Sequence, residues 1–147
     1  MTVYLDSSFV IRRLLGVGKP ADFWGKWEKA YASTLMRTEC FRAANKLRLE
    51  GKLDDAGRAR LGGWIETVCN AVTQIPVTDE VLKRASEAYP VAVGTLQAIH
   101  LATLQELEAV HGVKCVLASD DDGLVQAAKA LGIAEAEAEA PEAKPAE

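Results

Sequence analysis

Four short apolar runs, each followed by a stretch of helical spacing, constrain this chain more than any other feature. They are TVYL at 2–5, AYAS at 30–33, QIPV at 74–77 and KCVLAS at 114–119. Runs this short and this continuously apolar suit strands covered on both faces, the condition of a parallel sheet wrapped by helices. Parallel neighbours need long crossovers, and the intervening segments are long enough to supply them. The expected fold is α/β: a single three-layer α/β/α sandwich around a parallel sheet.

FVIRRLL, directly after the first run, has helical apolar spacing. Gly16, Gly18 and Pro20 then break the chain, and residues 22–29, carrying Trp24 and Trp27, read as a short helix. A long helix is expected from about Thr34 to Glu50, with Met36, Cys40, Ala44 and Leu47 as its apolar stripe and Gly51 at the left-handed C-cap. Asp54 or Asp55 caps another, reaching about Val72 with Leu61, Ile65, Val68 and Val72 on one face. Thr78 caps a helix through Ala88. A helix over about 95–110 turns Leu96, Ile99, Thr103, Leu107 and Val110 inward, and a last one over 121–131 stops at Gly132.

The 147 residues suit one domain, and a composition 49% hydrophobic and 26% charged can bury a core. No apolar run approaches the roughly 20 residues that span a bilayer. At the N-terminus Asp6 interrupts the first apolar stretch and the arginines come after it, the reverse of a signal peptide. Cys40, Cys69 and Cys115 are far apart and form no CxxC pair, which suggests neither a disulfide framework nor a zinc site. A cytoplasmic protein is expected. The net charge of −4 is located in residues 134–147, AEAEAEAPEAKPAE, with five Glu and one Lys. These residues read as a disordered acidic tail after a domain over 1–133, with a turn of helix or a frayed edge strand as alternatives. Within the neutral body, residues 1–60 carry 12 Lys/Arg against 7 Asp/Glu. That basic half can meet a polyanion, although a merely solvated charge distribution looks the same at this level.

Ligands of open parallel sheets sit beyond the carboxyl ends of the strands. Asp6 lies at the end of the first strand, and Asp120, Asp121 and Asp122 at the end of KCVLAS. Glu39 lies one turn into the helix after AYAS. Carboxylates gathered on one edge repel one another unless a cation offsets them, and a hard divalent ion such as Mg²⁺ or Mn²⁺ suits oxygen ligands. Each acid also has an ordinary reading. Asp6, Asp120 or Asp121 can cap the following helix, Asp122 favours the helix dipole, and Glu39 can pair with Arg42 at i+3.

VYLDSSFVIR at the start, TLMRTECFRA in the long helix, TLQAIHLATL after Gly94 and LASDDDGLVQAAKALGI near the end together resemble a PIN domain. The resemblance covers about residues 2–133 and is closest to the VapC-type toxins of toxin–antitoxin pairs. It implies an α/β/α fold and a Mg²⁺- or Mn²⁺-dependent endoribonuclease. It also implies a homodimer, held inactive by a cognate VapB-type antitoxin. By the same resemblance Asp6, Glu39 and Asp121 would be the catalytic, metal-holding acids. Asp120 would be a further ligand, with Ser8 and Ser119 in support. The third motif departs from the family: the acid expected within LQAIHLA is Gln97, whose amide oxygen brings no charge. Glu106 is too far along the helix to replace it.

Arg12, Arg13, Arg37, Arg42 and Lys46 are the candidates to engage an RNA backbone. His100 shares a face with Leu96, Thr103 and Leu107 and reads as a packing residue rather than a general base. Trp24, Trp27 and Trp64 can stack on bases, but burial or dimer packing is the commoner fate of such residues. A competing reading is a PIN-type binding module that has lost catalysis through Gln97. A phosphoacceptor domain built on Asp6 and the Asp120 cluster fits poorly, because no lysine follows a later strand.

Overall fold

The computed structural model describes residues 1–19 and 21–137. The elements run β1 (Thr2–Leu5), α1 (Ser7–Leu14), β2 (Lys29–Ser33), α2 (Leu35–Leu49), α3 (Asp55–Ala71), β3 (Thr73–Ile75), α4 (Asp79–Ala85), α5 (Thr95–His111), β4 (Val116–Ala118) and α6 (Asp122–Ala130). The strands make one sheet in the order β3-β2-β1-β4, every pairing parallel. β1 is therefore central, and Asp6 emerges from the middle of the sheet's carboxyl edge.

Alternation along the strands divides the core in two. Val3, Leu5, Ala30, Ala32 and Ala118 face a layer of α1, α2 and α3, where Phe9, Met36, Cys40, Leu61 and Ile65 are buried. Tyr4, Tyr31 and Leu117 face the opposite layer, where Leu101, Leu104, Leu107 and Leu124 of α5 and α6 are buried. α4 lies outside α5, with Val81 against Ile99 and Ala102. The result is the expected three-layer α/β/α sandwich. No helix is long and apolar enough to cross a membrane among the described residues.

Several boundaries differ from the sequence reading. Residues 22–25 form a turn rather than a helix, with Gly25 in the left-handed region. Here aromatic packing replaces helical hydrogen bonding: Trp24 meets Trp27 edge-on at 5.4 Å and leans on Phe9 at 5.8 Å. The third strand is Thr73–Ile75, not 74–77, because Pro76 cannot donate to a ladder. α4 stops at Ala85, where the Ser86 hydroxyl bonds back to the Leu82 carbonyl. Leu96 and Val110, expected inward, are 51% and 61% exposed. α5 has 17 residues and overhangs strands of three to five, so its first and last turns have no sheet to cover them.

At its start the tail takes the edge-strand alternative. The Leu117 N–H donates to the Ala134 carbonyl at 2.8 Å, and the Ala136 N–H donates to the Leu117 carbonyl at 2.7 Å. Glu135 thus forms a parallel bridge with β4 and is held by Lys19 at 2.8 Å and Lys129 at 3.2 Å. Residues 134–137 belong to the body, because they cover an otherwise bare sheet edge. Residues 138–147 lie outside the described residues.

α3 is started by its cap: the Asp54 carboxylate accepts the Gly57 N–H at 2.7 Å. Asp54→Ala is expected to cost about 1 kcal/mol. For a domain of this size the thermal midpoint falls by roughly 3 °C, which a melt followed by circular dichroism checks.

Candidate metal centre

Three polar groups from three elements meet beyond the end of β1. Asp6 sits at the N-cap position of α1, yet its carboxylate makes no capping bond. Its Oδ2 instead accepts the Ser119 hydroxyl at 2.8 Å and also the Ser8 hydroxyl. Glu39, in the second turn of α2, places Oε1 2.8 Å from His100 Nε2. His100 Nε2 is in turn 3.6 Å from Asp6 Oδ1. Asp6 is 4% and His100 2% exposed. One donor atom from each of Asp6, Glu39 and His100 lies within 4.8 Å of the others.

Elementary electrostatics makes this group unusual. Two carboxylates are brought together at the sheet edge, one buried and one partly so, and among the described residues neither has a Lys or Arg partner. The nearby cation is His100 when protonated. Burial opposes its charge, but the hydrogen bond to Glu39 and the charges of Asp6, Glu39 and Asp121 outweigh burial and raise its pKa above the ordinary 6.5. Its other ring nitrogen, Nδ1, is 2.7 Å from the Tyr4 hydroxyl. Tyr4 is fully buried, and burial followed by the Asp6 charge raises its pKa well above 10.0, so it remains a neutral phenol. The donor set of two carboxylates and one imidazole fits a divalent cation.

The remaining predicted residues take distinct places. Asp121 stands outside this compact group and does cap its helix, accepting the Leu124 N–H through Oδ1 at 3.1 Å. Its Oδ2 accepts the Gln97 amide at 3.0 Å. Gln97 Oε1 accepts the Gly94 N–H at 2.9 Å. Because Gly94 offers a donor and Asp121 an acceptor, the amide orientation is fixed, and Gln97 turns its NH₂ rather than its oxygen toward Asp121. It is a restraint on Asp121, not an oxygen ligand.

Asp120 is directed to a different neighbour. Its Oδ2 pairs with Arg12 Nε at 2.8 Å and accepts the Lys19 N–H at 3.2 Å, while Oδ1 is buried without a partner. Gly18 is needed for this packing. It has φ +98, and a Cβ there would fall onto the Asp120 carboxylate. Ser8 and Ser119 do support the site. Besides donating to Asp6, Ser8 Oγ accepts the Asp120 N–H and Ser119 Oγ accepts the Asp121 N–H, each at 3.0 Å. These hydroxyls join the ends of β1 and β4 and hold the Asp6 carboxylate in one orientation.

Among the basic candidates, Arg37 pairs with Glu66 and lies over Phe41, and Arg13 lies over Trp24. Lys46 is 3.8 Å from Glu50. Arg42 and Lys46 follow Glu39 by three and seven residues and so share its side of α2. Arg42 makes no ion pair with Glu39 among the described residues, because Glu39 turns to His100 instead.

Two contributors escaped the sequence reading. His100 is not merely a packing residue: it is buried with its Nε2 facing both acids. The available signal was a titratable side chain one turn after Gln97, on the apolar face of its helix. Tyr4 escaped because a tyrosine in a buried strand looks like ordinary core.

No family model and no curated protein matches the chain. Among solved structures, it is similar to PAE2754 from Pyrobaculum aerophilum. That likeness has a TM-score of 0.59 and 21% identity, and it covers 91% of this chain and 83% of the other. Identity at this level shows a common fold.

Proposed function

We propose that Asp6 and Glu39, beside the imidazole of His100, hold the divalent ion of a metal-dependent endoribonuclease of the PIN type. The observation that carries this is the meeting of a buried carboxylate, Asp6, and a partly buried one, Glu39, from separate elements at the carboxyl edge of a parallel sheet, with an imidazole as their only near cation among the described residues. On this reading the chain is the VapC-type toxin of a toxin–antitoxin pair. It acts as a homodimer on RNA and is restrained by a VapB-type antitoxin. The four motifs of the sequence support that assignment.

A Mg²⁺ or Mn²⁺ ion held there supplies positive charge beside a scissile phosphate and acidifies water for its hydrolysis. The chain's own groups do the rest. Ser8 and Ser119 fix Asp6 through Oδ2, which leaves Oδ1 directed to the centre. Tyr4 fixes the His100 ring. Arg42 and Lys46, on the Glu39 side of α2, meet the phosphates of the strand. Asp121 lends its charge from the next layer out.

A second reading follows from one observation. Both oxygens of Asp121 are already occupied, one by its helix and one by Gln97. With that acid restrained and the third-motif acid absent, the chain suits a catalytically attenuated PIN domain that binds partners. Incubation of antitoxin-free protein with a mixed single-stranded RNA pool separates the two. The nuclease reading expects cleavage in Mg²⁺ or Mn²⁺ that stops in EDTA and returns when the ion is restored. Absence of cleavage in both ions favours the binding module.

Ion binding also carries a pH signature. The His100 proton and the divalent ion compensate the same carboxylates. Because the pKa is raised, the proton is still held at pH 6.5 and is lost only as pH rises through the raised pKa. Affinity should therefore rise with pH above 6.5, by up to about tenfold per unit, and level once His100 is neutral. Calorimetric titration of Mn²⁺ in buffers of different ionisation enthalpy checks this, with close to one proton released per ion at the lower end.

A further inference from the structure

We propose that His100 Nε2 is itself a ligand of the ion, which makes this a mixed nitrogen–oxygen site that takes Mn²⁺ in preference to Mg²⁺. The inference rests on the divalent-ion reading above and adds the identity of the third donor and its consequence for the metal.

The distances between donor atoms carry the argument. Ligands about 2.1 Å from one ion lie roughly 3 Å apart when adjacent in an octahedron and about 3.4 Å apart in a tetrahedron. His100 Nε2 is 2.8 Å from Glu39 Oε1 and 3.6 Å from Asp6 Oδ1. The first is a hydrogen bond in the metal-free protein, and both suit donors that share a centre once the Nε2 proton leaves. The Asp6 and Glu39 donor atoms lie within 4.8 Å of each other. The ring need not turn to ligate, because Nε2 already faces both acids.

The surroundings of the ring favour the same role. A ligating imidazole uses one nitrogen on the ion and needs a partner for the N–H on the other. Tyr4 supplies that partner at 2.7 Å from Nδ1, and its buried neutral hydroxyl accepts the proton's hydrogen bond. The ring is further fixed edge-on to Tyr4, with 5.9 Å between ring centroids. Gln97 explains why a nitrogen serves here. Its amide turns a donor toward Asp121, so the third-motif position offers the ion no oxygen. His100, one turn further along the buried face of α5, offers a lone pair in its place.

An imidazole ligand shifts the selectivity. Mg²⁺ is a hard ion that favours oxygen and keeps its waters, whereas nitrogen donors favour later first-row ions. Mn²⁺ accepts both kinds of donor.

Pulsed electron paramagnetic resonance of the full chain with one equivalent of Mn²⁺ tests this without relying on activity. The chain has two histidines, and His111 is exposed at the end of α5. In the His111→Gln protein, a ¹⁴N coupling from one imidazole is expected, replaced by ¹⁵N when histidine alone is labelled. Competition should need at least tenfold more Mg²⁺ than Mn²⁺ for half-displacement. Bound Mn²⁺ without nitrogen coupling overturns the inference and leaves the divalent-ion reading standing. A coupling that vanishes in His111→Gln, or equal affinity for the two ions, overturns it as well. A spectrum of free aqueous Mn²⁺ at micromolar protein overturns both the inference and the reading beneath it.

Discussion

Asp6→Asn is expected to lower divalent-ion-dependent RNA cleavage by at least about 100-fold while leaving the fold intact. Groups that only orient a ligand commonly change metal affinity 10–100-fold when mutated, so loss of a direct, charged ligand should lie at or beyond the upper end. Asn has nearly the same shape and can keep the hydrogen bonds to Ser8 and Ser119, whose hydroxyls rotate to suit. What disappears is one negative charge beside His100 and Glu39. Without that charge there is less repulsion to hold in the metal-free protein, so the melting temperature in EDTA should stay equal or rise slightly. Initial cleavage rates in Mn²⁺, read beside a melt in EDTA, separate a chemical defect from a folding defect.

The second large effect is expected from Gln97→Asp. The shorter, anionic side chain removes the amide that donates to Asp121 at 3.0 Å and sets a carboxylate near it. In the metal-free protein this repulsion and the weakened contact to the Gly94 N–H should cost about 1–2 kcal/mol. An Asp in the first turn of α5 recovers part of that through the helix dipole. With Mn²⁺ the sign reverses. The released Asp121 and the new acid add negative charge to the centre, and affinity should rise on the order of tenfold, equivalent to about 1.4 kcal/mol. The thermal shift on adding Mn²⁺ should thus be larger in Gln97→Asp than in the parent, because a ligand bound only by the native state stabilises it with the logarithm of its concentration over Kd. Cleavage should increase alongside. Unchanged Mn²⁺ affinity would assign Gln97 to helix capping alone.

The layered architecture was legible because each strand is short and apolar and a stretch of helical spacing follows it. Asp54 and Thr78 cap the helices expected of them, and Asp121 takes the capping role that stood as its alternative to metal binding. The convergence of Asp6 and Glu39 was legible for the same reason, since the carboxyl edge of a parallel sheet is fixed once the strands are placed. Properties decided by tertiary competition were not legible. Residues 22–29 read as a short helix, but at 22–25 the chain turns instead, with Trp24 packed on Phe9 and Trp27 on Trp24. Glu39 could have paired with Arg42 on its own helix, and only the approach of α5 shows that His100 claims it. Periodicity reports that His100 faces inward, but not that its inward neighbours are Tyr4 and two carboxylates. The edge role of residues 134–137 was legible only as an alternative, because Ala and Glu in alternation carry little strand propensity. Lys19 and Lys129, remote in sequence, hold Glu135 in place.

Anomalous diffraction from crystals equilibrated with Mn²⁺ tests the central claim most directly, because it locates the ion without reference to any assay. The account predicts a peak within coordinating distance of Asp6 and Glu39, beyond the end of β1. That peak should be absent from Asp6→Asn crystals treated identically. A peak confined to the Asp120–Asp122 segment would contradict it, as would a fully occupied peak that survives Asp6→Asn.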